Sequence, residues 1–159
     1  MGKKAEKTND MRILDRAKVN YQSYDYSATA ALSGTEVAAA LGKNPASTFK
    51  TLVTQGASRA YYVFMVPVCD ELDLKKAARA AGEKSIAMIK SKELLPLTGY
   101  IHGGCSPVGM KKLFRTFIHQ TAEGFDTILF SAGKIGHQVE LSLSDLQKVV
   151  PVTPADITV

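Results

Sequence analysis

A histidine and a cysteine lie three residues apart in the segment GYIHGGCSPVG, residues 99–109. The spacing of His102 and Cys105 is compatible with a pair of metal ligands, but a zinc site needs three or four ligands. The other histidines and cysteines, which would have to complete such a site, are scattered singly along the chain: Cys69, His119 and His137. We therefore expect no metal site.

Cys105 is also a candidate nucleophile. A catalytic cysteine needs a histidine or a helix N-terminus that stabilises its thiolate. Pro107 could be the first residue of a helix over residues 107–112, which would supply such an N-terminus. Nothing in the sequence places a histidine beside Cys105, and a small apolar side chain would fill the same position. A structural role for the cysteine is favoured, and a thiol hydrolase built on Cys105 and a histidine stays open.

Consecutive glycines, Gly103 and Gly104, are the other chemical feature of this segment. A turn without side chains can approach a ligand closely and donate backbone N–H groups to a carbonyl oxygen or a phosphate. The segment SAGKIG, residues 131–136, offers a second turn of this kind. Neither turn fits the Walker A loop or the G-x-G-x-x-G pattern, so no nucleotide cofactor is predicted. Taken singly, each turn is better explained as a tight connection between strands.

Lys50 stands out because it follows Phe49 inside the apolar, strand-like segment TFKTLVTQG. A lysine in a strand usually points outward into solvent. If Lys50 faces a cavity instead, its ammonium group could hold an anion or polarise a carbonyl group.

The composition indicates one globular domain. The chain has 159 residues, of which 45% are hydrophobic and 22% charged, and a formal net charge of +5, which favours an anionic partner such as nucleic acid. No apolar run is long enough to cross a membrane, the N-terminus lacks the apolar core of a signal peptide, and two cysteines cannot form a disulfide framework. We expect a cytoplasmic protein with a flexible basic arm at residues 1–10 and a domain at residues 11–159.

The elements that must position these residues alternate irregularly between helix and strand. Helices are predicted over residues 8–18, 33–42, 73–82, 91–95 and 144–150, and the second and last of them begin with the capping boxes SGTE and SDLQ. Two strands are predicted to form a hairpin around GASR, residues 56–59. Further strands are predicted in SIAMI, KKLFRTFIH, DTILFSAG and HQVELS, and Cys69 is expected in the core. This order predicts a mixed α+β domain whose bent, mixed, partly barrel-like sheet carries peripheral helices.

Four motifs resemble one known family. They are FKTLV at residues 49–53, LDLKKAARAAG at 72–82, TGYIHGGCSPVG at 98–109 and FSAGKIGHQVELSLSDL at 130–146. Their order is that of the YbaK/EbsC group of the prolyl-tRNA editing superfamily, and the resemblance covers residues 12–150. It implies a small mixed α/β protein that deacylates mischarged tRNA, notably Cys-tRNA(Pro) and also Cys-tRNA(Cys). The modest net charge suggests weak binding of tRNA alone, so we expect prolyl-tRNA synthetase as a partner. No cofactor is expected.

The resemblance assigns roles to individual residues. The family's F-K-T-L lysine falls on Lys50, which is expected to contact the terminal adenosine or its phosphate. The family's glycine pair falls on Gly103 and Gly104, whose backbone would border the amino-acid pocket and face the scissile carbonyl. Further substrate contacts are expected from the early tyrosine and from residues of the two glycine-rich segments: Tyr24, Ser106, Ser131 and Gly133.

Two departures from the family pattern concern the second glycine-rich segment, where Ala132 and Ile135 replace a common glycine and arginine. Cys105 stands where an aliphatic residue is usual, so the resemblance makes it a spacer. In the family, the thiol of the bound cysteine is thought to attack its own ester while the protein orients it. The alternatives are a non-catalytic module that binds tRNA ends or a synthetase, and a deacylase of another small amino acid.

Overall fold

The computed structural model describes residues 7–159 of the chain. Its helices are α1 (Asn9–Arg16), α2 (Gly34–Ala40), α3 (Leu74–Ala81), α4 (Ser91–Thr98) and α5 (Leu143–Val149), with short 3₁₀ turns at Pro45–Ser47 and Gln120–Gly124. Its strands are β1 (Gln22–Asp25), β2 (Phe49–Gly56), β3 (Tyr61–Pro67), β4 (Ile86–Met88), β5 (Arg115–His119), β6 (Ile128–Ser131), β7 (His137–Leu141) and β8 (Val152–Ala155).

Helix α1 confirms the helix predicted over residues 8–18, and it begins inside residues 1–10, which were also predicted as a flexible arm. The Thr8 hydroxyl accepts a hydrogen bond from the Met11 amide at 3.3 Å, which is the usual cap of a helix N-terminus. Thr8, Asp10 and Met11 are buried. The fold therefore starts about three residues before the predicted boundary, and residues 1–6 of the predicted arm lie outside the described residues.

The larger sheet has five strands in the order β4-β2-β3-β5-β8. Strands β2 and β3 form the predicted antiparallel hairpin, in which Lys50 pairs with Val66. Strand β5 runs parallel to both of its neighbours, β3 and β8. Strand β3 is buried on both faces, which explains its nearly unbroken apolar sequence. Its Tyr62, Phe64 and Val66 side chains pack in the cluster that includes α3, and Phe64 stacks on Phe117 at 5.4 Å.

The smaller sheet has three antiparallel strands in the order β1-β7-β6. A single parallel bridge between Thr48 and Leu129 connects it to the start of β2. The mixed α/β class and the single domain are confirmed. The partly barrel-like sheet proves to be two sheets that meet at this bridge without closing into a barrel, and their strands bring the glycine-rich segment 131–136 next to β2.

Local signals correctly predicted two of the helices. Ser33 and Glu36 form a reciprocal capping box at the start of α2. The Asp73 carboxylate accepts hydrogen bonds from two amides of α3, and Gly82, with φ +75°, ends that helix. These short-range interactions need no tertiary contact.

The last helix begins earlier than predicted, because Ser142 and not Ser144 caps it. The Ser142 hydroxyl accepts a hydrogen bond from the Asp145 amide at 3.1 Å. Strand β7 ends at Leu141, so Ser142 is the first residue free to leave the sheet. Strand β8, which follows this helix, was not predicted.

Two further expectations were wrong. Cys69 is exposed because it lies in the turn after β3 and not in the core. Residues 107–112 form bends and no helix, so Pro107 supplies no helix N-terminus to Cys105.

Candidate functional site

A cavity of about 530 Å³ lies beside β2. Strand β2 forms one wall, and the first glycine-rich segment together with the facing ends of β6 and β7 forms another. The residues that carry chemistry among its lining are Lys50, Thr51, His102, Gly103, Cys105, Ser131 and Gln138. Apolar side chains such as Val37, Phe49 and Leu94 line much of the remainder. A mostly apolar cavity with a few polar groups is typical of a small-molecule site.

Lys50 lies at this cavity. Its side chain is 31% exposed, so it is neither an ordinary solvated strand residue nor a fully buried charge. The ammonium Nζ is 4.0 Å from Oε1 of Glu71, whose side chain is 84% exposed. An ion pair this long and this exposed contributes little stability. The Lys50 ammonium is therefore available to an anionic ligand.

Gly103 lines the cavity, and Gly104 lies directly behind it. Gly103 has φ +88°, a conformation that favours glycine. The Gly104 N–H donates to Ile101 O at 3.0 Å, whereas within residues 7–159 the Gly103 N–H has no hydrogen-bond partner. A Cβ at Gly104 would lie 3.3 Å from Ile135 N, so the two glycine-rich segments touch here. Of the pair, Gly103 is the one with an N–H group left for a ligand.

The Cys105 thiol is buried in the cavity wall. Burial, together with the nearby Asp10, raises the pKa of this thiol to about 12. Such a thiol is protonated at neutral pH and is a poor nucleophile. Among the described contacts none joins Cys105 to His102, and His119 instead contacts Ile157 N and the Thr158 hydroxyl. The geometry therefore disfavours a thiol hydrolase built on Cys105.

Three other predicted substrate contacts come from the glycine-rich segments. Ser131 lines the cavity, and its hydroxyl accepts a hydrogen bond from Gly133 N at 3.2 Å. Gly133, with φ +94°, lies behind it against Asp10. Ser106 is fully buried outside the cavity lining, where its hydroxyl accepts from Val108 N at 3.1 Å. Ser106 and Gly133 support the wall and do not line it.

Tyr24 does not line the cavity. Its hydroxyl donates to the Glu140 carboxylate at 2.6 Å, and the Lys43 ammonium lies over its ring. Tyr26 lines the cavity in its place and is held by a hydrogen bond from its backbone N–H to Gly136 O at 2.8 Å. Strand β1 ends at Asp25, so the chain turns at Tyr26 and no longer follows the alternation that the sequence suggests.

Two polar residues of the site were missed by sequence reasoning. Thr51 Oγ1 and Gln138 Oε1 are buried cavity-lining atoms with no hydrogen-bond partner among the described residues. Leaving such an atom unpaired costs about 1–3 kcal/mol, so a ligand that donates hydrogen bonds to them would be favoured. Gln138 pairs with Ser131 across the β6–β7 ladder. The only feature of the sequence that could have indicated Gln138 is the presence of a glutamine within the strand-like segment HQVELS.

Two general findings concern the described residues. Within 7–159, no group of three or more His, Cys, Asp or Glu side chains is arranged to hold a metal ion. In the same range, no helix has the length and apolar character needed to span a membrane.

Comparison with known proteins agrees with this fold. The aminoacyl-tRNA editing domain family matches residues 29–149. A protein of Enterococcus faecalis, EbsC, is 42% identical over 157 residues, which are 98% of this chain and 96% of EbsC. Its name assigns it, provisionally, as a Cys-tRNA(Pro)/Cys-tRNA(Cys) deacylase.

Two solved structures share the fold. One is described as a candidate trans-editing enzyme for prolyl-tRNA synthetase, with a TM-score of 0.80, 22% identity, and coverage of 97% of this chain and 99% of that one. The other, hypothetical protein APE2540, has a TM-score of 0.84 and 19% identity, with coverage of 93% and 97%. The chain belongs to the aminoacyl-tRNA editing domain family.

Proposed function

We propose that this protein is a trans-editing aminoacyl-tRNA deacylase that clears Cys-tRNA(Pro) and also accepts Cys-tRNA(Cys). The observation that carries the proposal is the convergence of one cation and several free hydrogen-bonding groups on one cavity. Lys50 lies at the cavity beside the exposed Glu71, and within residues 7–159 the Gly103 N–H has no acceptor and Gln138 Oε1 has no donor. Such a set fits an aminoacylated ribose end, which offers an anionic phosphate, a carbonyl oxygen and an ammonium group.

Each group has one role in this proposal. The Lys50 ammonium binds the phosphate of the terminal adenosine and orients the ester. The Gly103 N–H donates to the carbonyl oxygen, where negative charge develops during cleavage. Thr51 Oγ1 and Gln138 Oε1 accept hydrogen bonds from the substrate α-ammonium group. Ser131 forms part of the pocket wall on the opposite side.

The substrate itself supplies the nucleophile. The thiol sulfur of the bound cysteine attacks its own ester carbonyl carbon, the bond from that carbon to the ribose oxygen breaks, and the thiol proton ends on the released ribose hydroxyl. The protein contributes orientation, which is worth up to about 7–11 kcal/mol for well-aligned intramolecular reactions. This route is consistent with the Cys105 thiol, which is protonated and therefore unsuited to attack.

The need for a second site follows from the limits of discrimination by size. A pocket that must accept one small amino acid rejects another of similar size by only about 1–3 kcal/mol. We propose that prolyl-tRNA synthetase delivers the mischarged tRNA, because a net charge of +5 provides only modest attraction for tRNA.

A panel of substrates tests the function. Purified protein is mixed in excess with Cys-tRNA(Pro), Ser-tRNA(Pro), Ala-tRNA(Pro) or Pro-tRNA(Pro), and deacylation is followed with and without prolyl-tRNA synthetase. We expect cysteine to be removed at least about a hundredfold faster than serine, which has the same shape but a poorer nucleophile. Equal rates for cysteine and serine would exclude catalysis by the substrate thiol. Binding of all four without deacylation would instead indicate the non-catalytic module.

A further inference from the structure

Asp10 is a buried carboxyl that the proposed chemistry does not use. It lies in the first turn of α1 and is 1% exposed. The hydroxyl of Tyr100 is 2.5 Å from Asp10 Oδ1 and also makes a short contact with the carbonyl oxygen of Val108. A phenol has one proton and cannot donate to both oxygens. Both contacts are hydrogen bonds at once only if Asp10 is protonated, so that Asp10 donates to Tyr100 and Tyr100 donates to Val108.

The same carboxyl lies between the two glycine-rich segments. On the first, a Cβ at Gly109 would lie 3.0 Å from Asp10 Oδ1. On the second, a Cβ at Gly133 would lie 2.8 Å from the same oxygen. The two segments approach the carboxyl this closely only because both positions are glycines. They also carry Gly103 and Ser131, so the position of Asp10 bears directly on the cavity wall.

We propose that Asp10 is a positioning residue whose protonated carboxyl holds the two glycine-rich segments together, so that its ionisation loosens the cavity wall and slows deacylation. The effect on rate rests on the proposed function, whereas the effect on the segments does not.

The groups around Asp10 allow such a change near neutral pH. Burial raises the pKa of Asp10 to about 7, and the nearby hydroxyls of Ser106 and Tyr100, which can donate to the ionised carboxylate, oppose that shift. The ionisable residues of the first segment are Tyr100, His102 and Cys105. Burial and Asp10 raise the pKa values of Tyr100 and Cys105, so both stay neutral, and His102 lines the cavity with no hydrogen bond or ion pair to Asp10 among the described residues. The charged residue of the second segment is Lys134. Of Asp10, Tyr100 and Cys105, it is therefore Asp10 that changes charge between pH 6 and 8.

The first test compares wild type with Asp10→Asn, which keeps the size of the side chain and cannot ionise. Its amide nitrogen can donate to Tyr100 as the protonated carboxyl does. Single-turnover deacylation is measured from pH 5.5 to 8.5 and corrected for spontaneous hydrolysis. We expect the ratio of Asp10→Asn to wild-type rates to be about 1 at pH 5.5 and to rise at least about fivefold by pH 8.5. The matched control is Asp15→Asn, on the exposed side of the same helix, whose ratio should stay constant.

The second test needs no tRNA. Amide hydrogen exchange of residues 100–109 and 132–136, corrected for intrinsic rates, is measured at pH 6 and pH 8. We expect the wild type to lose protection in both segments at pH 8 and Asp10→Asn to keep it. A rate ratio that is flat with pH, or equal protection at the two pH values, overturns the proposal. If the wild type deacylates none of the substrates, the proposed function fails and hydrogen exchange alone decides the role of Asp10.

Discussion

One wall of the cavity is strand β2, and the opposite wall is made by the two glycine-rich segments. Strand β2 pairs with β3 along residues 49–55 and with β4 at residues 54–56, so the position of Lys50, opposite Val66, follows from the β2–β3 register. The segments have no ladder at Gly103 and Gly104, and they depend on contacts with each other and with Asp10. A side chain whose backbone is held by a ladder can be replaced without disturbing the fold. A cavity wall made of closely packed backbone has little room for an added side chain.

The largest effect is expected on stability at Asp10, beneath the segment wall. The unfolded chain has the ordinary aspartate pKa of 3.8, whereas burial raises the pKa to about 7 in the fold. Between these values the folded state binds more protons, so the free energy of unfolding falls as pH rises from about 4 to 7, by at most about 4 kcal/mol. The Asp10→Asn variant cannot ionise at this position, so its free energy of unfolding does not fall in this way. Its stability relative to wild type should therefore increase from pH 5 to pH 8 by about 2–4 kcal/mol.

Denaturant unfolding of both proteins at the two pH values measures this difference, and the comparison cancels the contributions of the other carboxylates. Asp15→Asn serves as the control, because Asp15 is exposed and bonded to Lys7 and Tyr21. A relative stability that is the same at pH 5 and pH 8 would show that Asp10 is ionised at both.

The next effect concerns the contact between the segments. In Gly104→Val, the branched carbons would collide with the backbone at Ile135, because even a Cβ would lie 3.3 Å from its nitrogen. We expect deacylation to fall by about a hundredfold, the scale of a lost oxyanion contact, in a protein that remains folded by circular dichroism. Gly124→Val is the matched control, since a Cβ there meets nothing within 4 Å. Near wild-type turnover in Gly104→Val would mean that the segments need not touch.

The β2 wall predicts a different outcome for Lys50→Ala. Because the ladder holds the backbone and the ion pair to Glu71 is long and exposed, we expect a stability change of no more than about 0.5 kcal/mol. Deacylation should fall at least about tenfold, and Lys50→Arg should restore little, since a planar guanidinium does not replace a compact ammonium in a tight site. Melting curves and single-turnover rates measure both, with the exposed Lys75→Ala as control. An unchanged rate in Lys50→Ala would remove the ammonium from the mechanism.

The smallest effect is expected at Cys105. Its thiol is buried and protonated, so Cys105→Ala should reduce deacylation by no more than about threefold, through the loss of a small packing contact. Single-turnover rates of the two proteins decide this. A loss beyond about a hundredfold, which is the scale of a missing catalytic group, would revive the thiol hydrolase.

How much could be predicted from the sequence depends on whether a feature is set by local or by long-range contacts. The β2–β3 hairpin and the caps at Ser33 and Asp73 depend on alternation and on residues three apart, and they were predicted correctly. The Ser142 cap was missed because it depends on where β7 ends. Asp10 fell in the overlap of the predicted arm and the helix predicted over residues 8–18, and its burial was missed because its partner Tyr100 lies 90 residues away.

The residues of the candidate site likewise divide into those that the sequence could identify and those that it could not. Motif resemblance identified Lys50, Gly103 and Ser131, all of which line the cavity. It could not identify Gln138, since an unpaired buried oxygen exists only once the sheets are assembled. Nor could it separate Tyr24 from Tyr26, which share one side of an ideal strand until β1 ends between them.

The ligand site at the cavity is tested most directly by an NMR titration with a stable 3′-amide analogue of cysteinyl-adenosine monophosphate, which cannot be deacylated. We expect amide shifts concentrated at both walls of the cavity, at Lys50 and Thr51 on β2 and at Gly103 and Gln138 opposite, with none in helix α3. Lys50→Ala should weaken binding while Thr51, Gly103 and Gln138 still shift. Shifts that cluster away from the cavity, or an affinity unaffected by Lys50→Ala, would contradict a ligand site at this cavity.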